Sequence, residues 1–236
     1  MADLLTSMSF IDGDPEILPY SFIQDQDPNR SNFASGQIKT NTNFGKKILE
    51  IAKNNEYKNY LEVGTWCGLG TTKCLLDGII LRNDNSKLLS IESNEKFFRI
   101  TKQYWDRFFF VHKIDKNKFS PFYGSLVKYD DLDDNYVTDS GMSKETYDYN
   151  QDIKDAPFIE IEEDVDVVCL DGGHFSSSIE WDMFKDKSKV FILDDTKTSK
   201  TRTILDEIKT NNDTWSIVYE SDDRNGEMII IREVML

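Results

Sequence analysis

Cysteines, histidines and long apolar runs are scarce in this chain of 236 residues. The three cysteines, Cys67, Cys74 and Cys169, fall in predicted buried elements, so a disulfide scaffold is disfavoured and a reducing compartment is favoured. No segment approaches the roughly 20 apolar residues that cross a bilayer. The first residues lack the basic and apolar regions of a secretory signal. We therefore predict a cytoplasmic protein without a membrane partner.

Basic residues are also in deficit. The chain has 43 Asp and Glu against 28 Lys and Arg, which gives a formal charge of -15. This charge repels nucleic-acid phosphates and anionic membranes, and it favours neutral or cationic small molecules. We therefore predict a small-molecule substrate and no nucleic-acid partner. The oligomeric state stays open.

A glycine-rich turn is the most informative feature that is present. The apolar segment Tyr60 to Val63 predicts a buried strand, and a helical pattern begins at Thr71. Three glycines lie between them: Gly64, Gly68 and Gly70. Strand, glycine turn and helix in this order are typical of cofactor sites in α/β sheets. The spacing G-x-x-x-G-x-G differs from the G-x-G-x-x-G pattern that binds a pyrophosphate, so we predict a nucleoside ligand without phosphates.

Acidic residues follow several later predicted strands. Glu92 comes at the end of the strand Lys87 to Ile91, about thirty residues after Gly64, where a carboxylate can accept hydrogen bonds from a ribose diol. The strands Val165 to Leu170 and Lys189 to Leu193 are each followed at once by aspartates. Because parallel strands end at one rim of a sheet, we expect these carboxylates on the same rim. The aspartates are Asp171, Asp194 and Asp195.

Composition also indicates the domain organisation. Residues 1–42 show no regular period, so we predict an irregular N-terminal arm that is either disordered or folded over a pocket as a lid. Residues 43–236 are predicted to form one domain, in which the acidic and tyrosine-rich residues 128–164 are a solvated insertion. The β-rich runs Trp215 to Glu220 and Met228 to Glu233 flank an Asn-Gly turn and predict an antiparallel hairpin.

Taken together, these motifs resemble those of class I S-adenosylmethionine-dependent methyltransferases. The residues that carry the resemblance are Glu62 to Gly70, Glu92, Leu170 to His174 and Leu193 to Asp195, with the terminal hairpin after them. The chain is most similar to small-molecule O-methyltransferases, a group that includes the macrocin-type sugar methyltransferases. The resemblance implies an α/β, Rossmann-like sheet of seven strands in the order 3-2-1-4-5-7-6, with helices on both faces and the hairpin at the end.

The resemblance also implies a set of cofactor contacts. The glycine turn would pass under the methionine end of S-adenosylmethionine, and Glu92 would bind the ribose hydroxyls. A polar residue after the third strand often contacts the adenine in this family, and Ser125 is the candidate here. The full set of predicted cofactor-binding residues is Glu62, Gly64, Gly68, Gly70, Glu92, Ser125 and Asp171.

A metal site is predicted at the acidic rim. Asp171, Asp194 and Asp195 offer three hard oxygen ligands that suit Mg²⁺, and the resemblance implies the same role for them. A divalent cation would lower the pKa of a substrate hydroxyl, and Asp171 or His174 would take its proton as the catalytic base. This chain has Gly173 where the family usually has an acid, which removes one candidate ligand or base.

Other interpretations stay open from the sequence alone. The aspartates could cap the helices that follow them, and His174 could make a structural hydrogen bond. The reaction could be metal-independent and act on another small-molecule or peptide acceptor, or the chain could bind the cofactor without catalysis. A nicotinamide enzyme is disfavoured by the glycine spacing and by the hairpin. The leading hypothesis is methyl transfer from S-adenosylmethionine to a small-molecule hydroxyl, with sugars among the acceptors and Mg²⁺ as helper.

Overall fold

Seven strands form a single mixed sheet. The computed structural model describes residues 38–211 and 213–233, so most of the predicted arm and its lid function lie outside the described residues. In chain order, the strands are β1 (Asn59–Val63), β2 (Lys87–Glu92), β3 (Phe119–Tyr123), β4 (Val167–Leu170), β5 (Val190–Asp194), β6 (Trp215–Ser221) and β7 (Glu227–Arg232). Their order in the sheet is β3-β2-β1-β4-β5-β7-β6, which confirms the prediction.

Six α-helices accompany the strands in the described part of the chain. They are α1 (Asn43–Lys53), α2 (Thr71–Ile79), α3 (Glu95–His112), α4 (Asp148–Asp155), α5 (Ser177–Phe184) and α6 (Arg202–Thr210). Short 3₁₀ turns occupy Lys116–Lys118, Tyr129–Asp131 and Ser199–Thr201. Among the described residues, every helix is too short or too polar to span a lipid bilayer.

The register brings the ends of the central strands to one rim. Val63 pairs with Ile91 of β2 and with Leu170 of β4, and Leu170 pairs with Leu193 of β5. These four strands are parallel, so the residues that follow them lie at the same rim of the sheet. The antiparallel hairpin of β6 and β7 extends the sheet beyond β5, as predicted.

Apolar residues on both faces of the sheet explain why the central strands are buried. One layer includes Phe44 of α1, Leu75 of α2 and Trp105 of α3. The opposite layer includes Trp181 of α5 and Ile204 of α6. A parallel sheet covered on both faces needs apolar side chains in almost every position, which accounts for the continuous apolar runs of β4 and β5.

Residues 128–164 are mostly exposed, but a few of their side chains pack against the sheet. Leu132 and Ile153 are buried against the second apolar layer, and Asn150 of α4 is also buried. The parallel bridge between Ser125 and Phe158 joins the segment to the end of β3. These contacts attach the segment to the second apolar layer of the sheet. Composition did not predict them, since the apolar residues are scattered along the segment.

Candidate active site

A cavity of about 360 Å³ opens at the rim where β1, β2, β4 and β5 end. This volume lies within the range of about 300–1,000 Å³ that is common for small-molecule sites. One half of its wall comes from the β1 to β3 side, and we call it the cofactor half: Gly64, Trp66, Glu92 and Ser125. The other half, which we call the acidic half, follows β4 and β5: Asp171, Asp194, Asp195, Lys200 and Arg224.

Glu92 is fixed by the backbone in the cofactor half. Its carboxylate accepts hydrogen bonds from the backbone N–H of Trp66, at 2.6 Å, and of Asn94, at 2.8 Å. Asn94 in turn caps α3 through its own side chain. Glu92 lines the cavity, which places its carboxylate where a ligand hydroxyl can donate to it. Glu92 is the last residue of β2, and its role toward a ribose stays a prediction.

The glycine turn is held against its neighbours. Gly64 has a φ of +90°, and a Cβ there would lie 2.3 Å from the backbone oxygen of Asp171. Gly68 has a φ of +69°, and its carbonyl accepts a hydrogen bond from Trp105 Nε1 at 3.0 Å. Both positions therefore require glycine. Of the three predicted glycines, Gly64 lines the cavity, whereas Gly68 packs on α3 and Gly70 precedes α2.

Glu62 lies beneath the turn and outside the cavity lining. It is 1% exposed and accepts hydrogen bonds from Thr72 Oγ1, at 2.8 Å, and from Ser90 Oγ, at 2.5 Å. Burial raises its pKa from 4.5 to about 8, with further raising by the charges of Asp171 and Glu92. Glu62 thus joins β1, β2 and α2 under the glycine turn.

Ser125 also lines the cavity, as the sequence predicts for an adenine contact. Its hydroxyl donates to the carbonyl of Val127 at 2.8 Å and accepts from the N–H of Val127 at 3.1 Å. Its backbone pairs with Pro157 and Ile159 of the insertion. The hydroxyl proton is therefore already used within the protein, and an acceptor position of the oxygen is what remains for a ligand.

The acidic half brings the three predicted aspartates together. One carboxylate oxygen from each of Asp171, Asp194 and Asp195 lies within 4.8 Å of the others. The helices that follow are preceded by Ser176 and Thr201, so the alternative in which these aspartates cap α5 and α6 is wrong. Asp195 adopts the left-handed conformation, with a φ of +60°, a strained geometry that is common at functional sites.

Two cations and an amide hold these carboxylates. Lys200 Nζ lies 3.3 Å from Asp171 Oδ1 and 3.4 Å from Asp195 Oδ2. Arg224, in the turn between β6 and β7, contacts Asp194 Oδ2 at 3.0 Å. Asn225 of the same turn donates to Asp195 Oδ1 at 2.9 Å. Asp194 Oδ1 is buried without a hydrogen-bond partner in the described structure.

The electrostatics separate these acids. Desolvation raises the pKa of Asp171 and of Asp194 in spite of the Lys200 charge. Desolvation also acts on Asp195, but the Lys200 charge and the hydrogen bond from Asn225 outweigh it and lower the pKa of Asp195. Burial alone would lower the pKa of Lys200, whereas the surrounding carboxylates raise it, so the ammonium form is stabilised. Asp195 is thus the ionised partner of Lys200.

His174 lies beside the acidic half, on the turn after β4. It lines the cavity, and its Nδ1 is 3.4 Å from Ser199 Oγ. The ring of Tyr147 meets the imidazole edge-on, with centroids 5.5 Å apart. Desolvation, followed by the nearby Lys200 charge, lowers the pKa of His174, which favours the neutral imidazole. A neutral imidazole can accept a proton near neutral pH.

Several cavity residues were missed by the sequence reasoning. Lys200 and Arg224 lie in turns rich in polar residues, which predict solvent exposure. Tyr147 and Tyr149 of the insertion line the cavity. Glu180 of α5 is 2% exposed, lines the cavity and has one carboxyl oxygen without a hydrogen-bond partner in the described structure. Its signal in the sequence was an acid on the apolar side of a helix.

No protein-family model matches the chain, and no curated protein matches it in sequence. Solved structures do match it in fold. An O-methyltransferase from Bacillus cereus, in complex with SAH, superposes with a TM-score of 0.58 at 14% identity, covering 98% of this chain and 97% of that one.

Two further structures agree. The O-methyltransferase TomG from Streptomyces achromogenes, in complex with SAM, gives a TM-score of 0.55 at 12% identity and covers 99% of this chain and 96% of its own. The SAH-bound Podospora anserina methyltransferase PaMTH1 gives 0.53 at 12% identity, with 99% and 95% covered. This similarity confirms that the chain has the fold of class I methyltransferases. The macrocin-type subgroup stays a prediction.

Proposed function

We propose that this protein transfers a methyl group from S-adenosylmethionine to a hydroxyl of a small molecule. The observation that carries the proposal is the shared cavity: Glu92 lies in the cofactor half of its wall, Asp171 lies in the acidic half, and His174 lines the cavity beside Asp171. Solved O-methyltransferases with this fold carry SAM or its product S-adenosylhomocysteine, SAH, which supports the same cofactor here.

The residues of the cofactor half suit S-adenosylmethionine. Glu92 lines the cavity at the end of β2, where a carboxylate can accept hydrogen bonds from ribose hydroxyls. Gly64 keeps the chain close to the end of β4 and leaves the cavity floor without a side chain. Nothing in this half resembles a phosphate cradle, which agrees with a ligand that has no phosphate.

The remaining residues would handle the acceptor. When bound, S-adenosylmethionine supplies an electrophilic methyl group on its sulfonium. Asp171 or His174 would take the proton of an acceptor hydroxyl, whose oxygen would then receive the methyl group that the cofactor supplies, with SAH as the leaving group. Asp171 has a raised pKa and His174 a lowered one, so both are suited to accept a proton near neutral pH.

Aromatic residues of the cavity wall suggest the class of acceptor. Trp66, Tyr147 and Tyr149 present aromatic rings around the cavity, and the rings of Tyr147 and Tyr149 lie 5.1 Å apart. Aromatic surfaces bind the apolar faces of sugars and of phenols. We therefore place sugars and phenols first among the hydroxyl acceptors, with peptides as the class to exclude by assay.

Metal assistance is the finer part of the sequence hypothesis. One carboxylate oxygen from each of the three aspartates is the kind of ligand that Mg²⁺ prefers, and Asp194 Oδ1 has no hydrogen-bond partner in the described structure. The space between Asp171 and Asp195, however, is taken by the Lys200 ammonium. The residues as arranged do not fit the ion, and this contact favours a second candidate function, metal-independent methyl transfer at the same cavity.

Calorimetric titration with SAH tests the cofactor assignment. We expect binding by the wild type, and a loss of roughly 10- to 100-fold in affinity for Glu92→Gln, because hydrogen bonds to a charged group contribute about 1.5–3 kcal/mol. Glu95→Gln is the matched control, since Glu95 lies at the start of α3 with an exposed carboxylate. A wild type that does not bind SAH, or a Glu92→Gln variant that binds as the control does, would contradict the proposal.

The acceptor is tested separately. Wild-type protein is incubated with methyl-labelled S-adenosylmethionine and with sets of sugars, phenols and peptides. We expect label in a sugar or a phenol. SAH binding together with no transfer to any acceptor class would instead favour the inactive, cofactor-binding alternative.

A further inference from the structure

Lys200 is enclosed by the acidic half of the cavity. Its side chain is only 2% exposed, although lysine is rarely buried without a charged partner. Its ammonium contacts Asp171 Oδ1 and Asp195 Oδ2 at almost equal distances, 3.3 and 3.4 Å. The ammonium therefore occupies the point between two of the three carboxylates that would serve as metal ligands.

The backbone around Lys200 is anchored to the end of β5. The carbonyl of Asp195 accepts hydrogen bonds from the backbone N–H of Thr198, at 3.0 Å, and from Thr201 Oγ1, at 3.2 Å. On the other side, Asp139 accepts the N–H of Ser199 at 2.5 Å. Lys200 lies between these anchors, so its side chain enters the cluster from a fixed turn.

A divalent ion and the ammonium cannot share this position. Mg²⁺ binds carboxylate oxygens at about 2.0–2.1 Å, so an ion held through Asp171 Oδ1 and Asp195 Oδ2 would need the place of the Lys200 ammonium. The charges point the same way. Lys200 and Arg224 already offset most of the negative charge of the three aspartates, and a dication added beside Lys200 would face repulsion at close range.

We propose that Lys200 is the resident cation of this cluster and that it excludes a divalent metal from the site. The catalytic consequence, methyl transfer without a metal, rests on the proposed function, whereas the exclusion of metal does not. In this arrangement the ammonium supplies at the acidic half the fixed positive charge that Mg²⁺ would otherwise bring.

Binding of Mn²⁺, followed by electron paramagnetic resonance without cofactor or acceptor, tests the exclusion. Four proteins are compared: wild type, Lys200→Met, Lys200→Arg and Lys197→Met. Met keeps the length of the side chain and removes its charge, and Arg keeps the charge. Lys197→Met is the matched control, because Lys197 lies in the same turn with a half-exposed side chain paired to Asp222.

We expect no Mn²⁺ site at the cluster in the wild type, in Lys200→Arg or in Lys197→Met. Lys200→Met should bind one Mn²⁺ at least about 100-fold more tightly than the wild type, because a unit charge about 4 Å away is removed. Adding Asp195→Asn to that variant should abolish the site. Circular dichroism of each variant verifies the fold.

Two results would overturn the inference. One is a wild type that binds Mn²⁺ at a site removed by Asp195→Asn. This comparison does not depend on the folding of any Lys200 variant. The other is a folded Lys200→Met that gains no Mn²⁺ affinity. Methyl-transfer activity is the last measurement. Wild-type turnover should be insensitive to chelator, whereas Lys200→Met should lose activity and regain part of it with Mg²⁺. Failure of SAH binding would instead contradict the proposed function and leave the metal result readable.

Discussion

The two halves of the cavity hold their negative charge in different ways. In the cofactor half, Glu92 is positioned by backbone N–H groups of residues near the ends of β1 and β2. In the acidic half, three aspartates are held by the side chains of Lys200, Arg224 and Asn225, which come from two separate turns. Backbone donors come with the fold, whereas side-chain partners depend on particular residues. The position of Glu92 in the cofactor half therefore follows from the strand and turn pattern. The charge balance of the acidic half, by contrast, depends on which side chains occupy the two turns.

Removing the charge of Asp171 should have the largest effect, and it should separate the two halves. For Asp171→Asn we expect turnover to fall by roughly 10²- to 10⁴-fold, the usual contribution of a general base, while SAH affinity changes little. Methyl-transfer kinetics and SAH calorimetry on the same protein measure the two effects.

Asp182→Asn is the control for that variant, because Asp182 lies on α5 with an exposed carboxylate paired to Lys185. If Asp171→Asn keeps wild-type turnover, Asp171 is not the base and His174 becomes the sole candidate. If SAH affinity falls as steeply as turnover, the two halves do not act independently.

A side chain at Gly64 should destabilise the close contact between the glycine turn and the backbone of Asp171. The Cβ of Gly64→Ala would lie 2.3 Å from the carbonyl oxygen of Asp171, and the residue would keep a φ of +90°. We expect the free energy of unfolding to fall by about 2–4 kcal/mol, a large effect for one substitution. Urea denaturation measures it.

Gly141→Ala gives the matched comparison. Gly141 also has a positive φ, +80°, but a Cβ there meets no atom within 4 Å. Its cost should be only the conformational penalty of about 1–2 kcal/mol. Equal losses for the two variants would show that the approach of Gly64 to β4 has no energetic role.

The last expected effect is a pH dependence that arises from Glu62, beneath the glycine turn. Burial raises the pKa of Glu62 to about 8, so its contribution to stability is complete below its unfolded pKa and is lost as the pH rises through about 8. Between these values the free energy of unfolding should fall by up to roughly 1.4 kcal/mol per pH unit from this group.

The measurement is urea denaturation from pH 6 to pH 8 for the wild type and for Glu62→Gln. The variant should show a shallower decline, because its amide does not titrate. Glu50→Gln, at the exposed Glu50 of α1, should decline as the wild type does. A Glu62→Gln curve parallel to the wild type would mean that Glu62 does not release its proton in this range.

The pattern of apolar residues predicted most of the strands. The runs at Tyr60, Lys87, Val165 and Lys189 predicted strands within about two residues of their observed bounds, and Asn225-Gly226 marked the hairpin. Alternation of strand and helix restricts a parallel sheet to few topologies. The motif resemblance then selected the order that is observed.

The site was predictable where its residues lie at the ends of the predicted strands. Gly64 and Glu92 end paired strands, so their approach follows from the register. The aspartates were expected on one rim for the same reason, and they meet there. Lys200 and Arg224 had no such signal, because their turns are polar and they reach Asp171 and Asp194 only in the folded chain.

The local apolar pattern and the motif resemblance were thus enough to predict a Rossmann-like sheet with a glycine turn and a rim of carboxylates. Which cation neutralises those carboxylates was set by folding, because Lys200 reaches Asp171 across 29 positions and Arg224 reaches Asp194 across 30. Long-range pairs of this kind leave no periodic trace in the chain, since they depend on side chains that meet only after the strands have packed.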